Sequence, residues 1–132
     1  MGRSKLLQAA LLAGFLSAGT IAVMAATVAP FTEQAFTGSQ REGKPILVHI
    51  TASWCPTCAK QHPILAQLEK DPGFANLVVY DVDFDAQKDV VRAMGARMQS
   101  TLIAFHGTKE AGRSTGDTNP DSIKALLDKA EK

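Results

Sequence analysis

The chain has only two cysteines, Cys55 and Cys58, three residues apart where a strand-like run gives way to a helix-like one. Ile46 to Thr51 is uncharged and rich in β-branched residues, broken only by His49. Its lack of clean apolar–polar alternation predicts a strand covered on both faces. From about Cys58 to Lys70, Ile64, Leu65 and Leu68 fall on one helical face, with Pro63 inside the helix as a kink. Sulfurs at i and i+3 of a first helical turn can bond or part with little backbone movement. A bridge closing so short a loop removes little entropy from the unfolded chain, so a structural disulfide is a poor explanation of the pair. A disulfide-stapled scaffold would carry more cysteines, more widely spaced.

The junction predicts reactivity. Cys55 stands where unpaired backbone N–H groups and the helix dipole favour negative charge. Such placement lowers a thiol pKa from about 8.5 toward 7 or below, and the thiolate is the nucleophile. Cys55 is therefore expected to attack a substrate disulfide, and Cys58, one turn further in, to resolve the mixed disulfide. Pro56 costs the first turn nothing and stiffens the loop. Trp54 is expected to cover the site, with Thr57 completing the dipeptide between the cysteines.

The remainder reads as alternating helices and strands. Thr27 to Pro30 is expected as a tether. Thr32 caps a first helix, with Phe31 stapled on Phe36, and Gly43 and Pro45 end it. Leu77 to Asp83 is a second buried strand, and Asp85 is expected to cap a short helix bearing Val90, Val91 and Met94 and stopped by Gly95. Thr101 to Phe105 is a third strand, turned at His106-Gly107 into a hairpin with 110–115. Asn119-Pro120 opens a last helix, with Ile123, Leu126, Leu127 and Ala130 at helical spacing. The predicted order αβαβαββα implies an α/β fold, a central mixed sheet flanked by helices.

The ends of the chain differ in character. Arg3 and Lys5 precede Leu6–Ala26, which holds no charge, and Val23-Met24-Ala25 fits a cleavage tripeptide. Residues 1–26 are expected to be a signal peptide or, less favoured, a membrane anchor. Residues 27–132 are then one domain in an extracytoplasmic space, most simply a periplasm. A net charge of +1 with interspersed signs offers no basic stripe for nucleic acid.

In these features the chain resembles the thioredoxin superfamily over about residues 31–130. The likeness rests on the uncharged strand, Trp54-Cys55-Pro56-Thr57-Cys58, Pro63 five residues past the second cysteine, the Asp81, Asp83, Asp85 run and the strand–turn–strand near Gly107. The Pro56-Thr57 dipeptide looks like that of periplasmic thioredoxin-like reductases. The resemblance implies a thioredoxin fold and an exported thiol–disulfide oxidoreductase acting on protein disulfides. It implies a monomer recharged by a membrane electron donor, with no cofactor or metal beyond the redox-active cysteine pair.

Three positions depart from the family. Ser100, within Gln99-Ser100-Thr101, stands where thioredoxins carry a cis-proline facing the cysteines. A cis bond before a non-proline costs about 2.5–4 kcal/mol, so the loop is expected trans, or cis under strain. His49 replaces a buried acid and Asp81 its partner lysine, which suggests a proton relay through a His49–Asp81 pair; an ordinary hydrogen-bonded histidine is the plain alternative. The competing functions are a thiol oxidase of the same fold, and a copper- or zinc-handling module in which His62, four residues past Cys58, adds a ligand.

Overall fold

The computed structural model describes residues 18–22 and 24–132. Most of the expected signal or anchor segment therefore lies outside the described residues. Among the described residues, no helix is long and apolar enough to cross a membrane.

The elements are β1 (Thr27–Pro30), α1 (Glu33–Arg41), β2 (Pro45–Thr51), α2 (Pro56–Leu68), a 3₁₀ turn (Pro72–Phe74), β3 (Val78–Asp83), α3 (Lys88–Ala93), β4 (Thr101–His106), β5 (Lys109–Thr115) and α4 (Pro120–Ala130). They build one sheet in the order β1-β3-β2-β4-β5. β1, β3 and β2 run parallel, and β4 and β5 are antiparallel additions. This is the mixed, helix-flanked sheet that the resemblance implied.

The central strands explain why alternation was missing. In β2, Ile46, Val48 and Ile50 enter one core with Phe31, Phe36, Tyr80, Val91 and Phe105. Leu47 enters the other with Leu65, Leu77, Leu102, Ile123, Leu126 and Leu127. Both faces of the strand are covered, by α1 and α3 on one side and α2 and α4 on the other. Each fully buried aliphatic or aromatic side chain contributes about 1.5–3 kcal/mol relative to exposure. His49 belongs to the Leu47 face, so a polar ring lies beneath α2.

The local signals at two helix starts held. Thr32 Oγ1 accepts the Ala35 N–H at 3.2 Å, and the Phe31 and Phe36 rings lie 5.2 Å apart. Asn119 Oδ1 accepts N–H groups of Asp121 and Ser122 at 2.9 and 3.1 Å, with Pro120 in the first turn.

Three expectations need correction. Thr27–Pro30 is a parallel edge strand on β3, not a tether, with Thr27 opposite Val78 and Pro30 opposite Asp81. It is mostly exposed, so its residues carry no burial pattern, and a proline is tolerated on an edge. α2 begins at Pro56, two residues earlier than expected, with Cys55 as its cap. Asp85 does not cap α3: Gln87 holds that position without a side-chain bond. Asp83 Oδ1 instead gathers the N–H groups of Asp85 and Ala86, both at 2.9 Å, and this turn leaves the Asp85 carboxylate free to face Trp54.

Candidate functional site

Parallel β2 and β3 both end at the same edge of the sheet, with Thr51 opposite Asp83. Antiparallel β4 starts there, with Thr101 opposite Ile50, and β5 finishes there, with Thr115 opposite Thr101. The Cys55–Cys58 motif, the Ser100 loop and the Asp83–Gln87 turn therefore meet at one end of the molecule.

Cys55 and Cys58 are joined as a disulfide with Cα atoms 5.3 Å apart. Cys55 is the N-cap of α2, and its Sγ accepts the Cys58 N–H at 3.1 Å. A sulfur placed to accept a helix-terminal N–H is one whose negative charge would be stabilised there. Cys55 keeps 2% of its surface exposed and Cys58 none. Both are buried, and Cys55 is the one at the cap of the helix. Ala52 and Phe84 pack around the pair.

Trp54 sits at the outer surface beside the pair. It is 55% exposed, its Nε1–H donates to Asp85 Oδ2 at 2.6 Å, and its ring meets Phe84 edge-on at 6.4 Å. Phe84, half-buried, packs against the cysteines beneath it. Pro56 is exposed at the first turn of α2 and Thr57 is half-buried beside it. Met98, before the Ser100 loop, exposes 52% of its surface.

His49 is buried at 1% exposure, and its pairing with Asp81 is present: Nδ1 lies 3.2 Å from Asp81 Oδ1. Its Nε2 lies 3.2 Å from Gln61 Oε1. Gln61 Nε2 donates to the Ser100 carbonyl at 3.1 Å and the Asp117 carbonyl at 2.9 Å. Two carbonyls can be met only by the amide NH₂, so the amide oxygen faces His49, and Nε2 of the ring must carry a proton. The Nδ1–Asp81 contact joins this buried ring to a carboxyl group that is 39% exposed. Asp81 reaches solvent through a cleft of about 440 Å³ that β1, Thr51, His62 and Asp83 help to line. Nearby Glu69 has its carboxyl held above the ordinary range, by burial first and by the Asp81 charge second.

Gln61 carries no motif and was missed. Its signal was positional: Cys58, Gln61 and Leu65, spaced three and four apart, are the buried face of α2. A glutamine there must find partners inside the protein.

Ser100 is buried, and the described residues contain no cis peptide bond. The strain takes another form: Ser100 has φ of 59°, the only positive φ outside glycine among the described residues. Gln99 is half-buried, and Thr101 is buried, with Oγ1 donating to the Met98 carbonyl at 2.7 Å. His62 is exposed and turned toward Thr51 Oγ1 at 3.3 Å. Among the described residues, no three His, Cys, Asp or Glu side chains gather as a metal site. His106 does more than turn a hairpin: its Nδ1–H donates to the Ala130 carbonyl at 2.8 Å, tying β4 to the end of α4.

Comparison with known proteins agrees with this geometry. The family model described as Thioredoxin matches residues 27–129. An H-type thioredoxin of Chlamydomonas reinhardtii is 33% identical over 91 residues, spanning 68% of this chain and 78% of the relative. A thioredoxin of Chlamydia muridarum is 31% identical over 84 residues, 64% of this chain and 80% of the relative. Among solved structures, Trxlp from Edwardsiella tarda EIB202 matches with a TM-score of 0.75 at 38% identity, over 76% of this chain and 98% of that one.

Proposed function

The chain belongs to the thioredoxin family, and from that premise we propose that it reduces disulfides of extracytoplasmic proteins. It is a thiol–disulfide oxidoreductase working through Cys55 and Cys58.

The exchange follows from the site. In the reduced protein the Cys55 thiolate attacks one sulfur of a substrate disulfide. A Cys55–substrate bond forms, the substrate S–S bond breaks, and the departing thiolate takes up a proton. The Cys58 thiolate then attacks Cys55 Sγ, closing the Cys55–Cys58 bond and releasing the second substrate thiol. Two electrons and two protons pass to the substrate, and a dithiol donor must restore the pair. Exposed Trp54 and Met98 supply apolar surface beside the site for a protein partner.

One observation carries the reducing direction. Among the described residues, Cys55 Sγ accepts a single hydrogen bond, from Cys58 N–H, and no basic side chain is bonded to it. Strongly oxidising members of this chemistry owe their potential to a heavily stabilised reduced form. A single N–H stabilises the thiolate modestly, which favours a pair content to remain oxidised and hence to give electrons away. The exported location is supported by Arg3 and Lys5 ahead of the uncharged Leu6–Ala26 run.

The test is the reduction potential of Cys55–Cys58 in equilibrium with a dithiol buffer. A value near −270 mV is expected, and one near −120 mV would make the protein an oxidase instead. Fractionation of cells expressing the full chain, against one lacking residues 1–26, tests export. Loss of the protein from the extracytoplasmic fraction on truncation is expected; an unchanged distribution would refute it.

A further inference from the structure

We propose that Gln61 is a positioning residue that shapes the Ser100 loop to receive a protein substrate, held in its working orientation by the Nε2 proton of His49. The inference rests on exchange with protein disulfides and adds the device that presents them to Cys55.

Gln61 is fully buried in the second turn of α2, and both ends of its amide are engaged. Its NH₂ bridges two separate connections, the loop before β4 and the segment after β5. The Ser100 carbonyl also accepts the Gly116 N–H at 3.0 Å, so both of its lone pairs are used. Ser100 Oγ donates to the Gln99 carbonyl at 2.5 Å, and Thr101 Oγ1 to the Met98 carbonyl. Carbonyls 98 and 99 thus each accept one hydrogen bond from a hydroxyl of the loop, and carbonyl 100 accepts two from its supports. The half-buried Gln99 side chain lies in the same loop, beside these occupied carbonyls. A serine at positive φ persists only where its surroundings over-determine it. Among the described residues, Gln61 is the one side chain that bonds the Ser100 carbonyl.

His49 and the two carbonyls all favour the same orientation of the amide. Turned over, Gln61 would set NH₂ against the Nε2–H and its oxygen against two carbonyls. The groups facing His49 are Asp81 from β3 at 3.2 Å, His62 from α2 edge-on at 5.1 Å and Gln61 itself. Glu69, past the end of α2, feels the charges of both Asp81 and His49. On β4 the register partner of His49 is the apolar Leu102.

Gln61→Met keeps the volume and removes every bond; Gln61→Glu keeps an acceptor toward His49 and removes the donors. Insulin reduction, with dithiothreitol as electron source, is compared with reduction of a small aromatic disulfide that needs no loop. Both variants should raise KM for insulin about tenfold with kcat within about twofold, and change kcat/KM for the small disulfide by less than about threefold. Equal losses on both substrates would reduce Gln61 to a structural support, and no loss on insulin would also overturn the proposal. Loss of small-disulfide exchange in the unsubstituted protein would instead sink the oxidoreductase reading. Should neither variant fold, hydrogen exchange of the Gln61 side-chain amide in the unsubstituted protein decides. Protection of at least about a hundredfold is expected, and exchange at the free-amide rate would contradict the assignment.

Discussion

The two ends of the sheet handle the same backbone problem differently. At the end away from the cysteines, Gly43 and Gly107 take positive φ of 69° and 57°. Gly107 donates its N–H to the Lys44 carbonyl at 2.9 Å, and a Cβ on it would lie 3.2 Å from Gly43 Cα. Glycine makes that turn without strain. At the cysteine end, Ser100 adopts nearly the same φ without being glycine, and buried His49 and Gln61 bonds surround it. One end is resolved by sequence choice, the other by a hydrogen-bonded network. The contrast teaches that conformational strain here is confined to the end that performs the chemistry.

Substitutions at the two ends should separate stability from activity. The largest effect is expected for Cys55→Ser, which removes the nucleophile: insulin reduction should fall by more than about a thousandfold with urea stability near that of the reduced parent. Retained activity would break the assignment of roles. Gly107→Val should cost about 2–4 kcal/mol in urea unfolding, because a β-branched residue at positive φ meets Gly43 backbone, while activity per folded molecule is preserved. A cost under about 0.5 kcal/mol would erase the contrast between the ends. Ser100→Gly should leave stability unchanged or raise it by up to about 1 kcal/mol, since it relieves the left-handed conformation, while KM for insulin rises. Clear destabilisation would mean the loop is unstrained. The smallest effect is expected at Glu69, whose carboxyl is raised by burial and by Asp81. The unfolded chain loses that proton first, so the folded state is penalised as pH rises past the unfolded value. Glu69→Gln should therefore raise Tm slightly at pH 7, by under about 3 °C, and the gain should vanish below about pH 4.5. A gain that persists at low pH would point to another cause.

The sequence made the strand–CxxC–helix junction legible because each part has its own local signal: β-branched residues, a proline tolerated in a first turn, helical spacing beyond. Asn119-Pro120 and Phe31/Phe36 were legible for the same reason. β1 was not, because its stabilisation comes from pairing with β3, fifty residues distant, and its exposed side chains carry no pattern. Asp85 was misread because two neighbouring aspartates compete for one turn, and only the fold gives Asp85 to Trp54. The His49–Asp81 contact could be inferred from position, whereas Gln61 required knowing which face of α2 is buried. At Ser100 the missing proline pointed to strain, but the sign of φ depends on carbonyl partners contributed by α2 and by the residues after β5.

The central claim is that the amino end of α2 stabilises a thiolate on Cys55. The direct measurement is the rate of iodoacetamide alkylation of Cys55 in the reduced protein as a function of pH, with Cys58→Ser to isolate the first thiol. A midpoint of about 7, below that of an ordinary thiol, is expected. A midpoint at about 8.5, as for a thiol free in solution, would contradict the account.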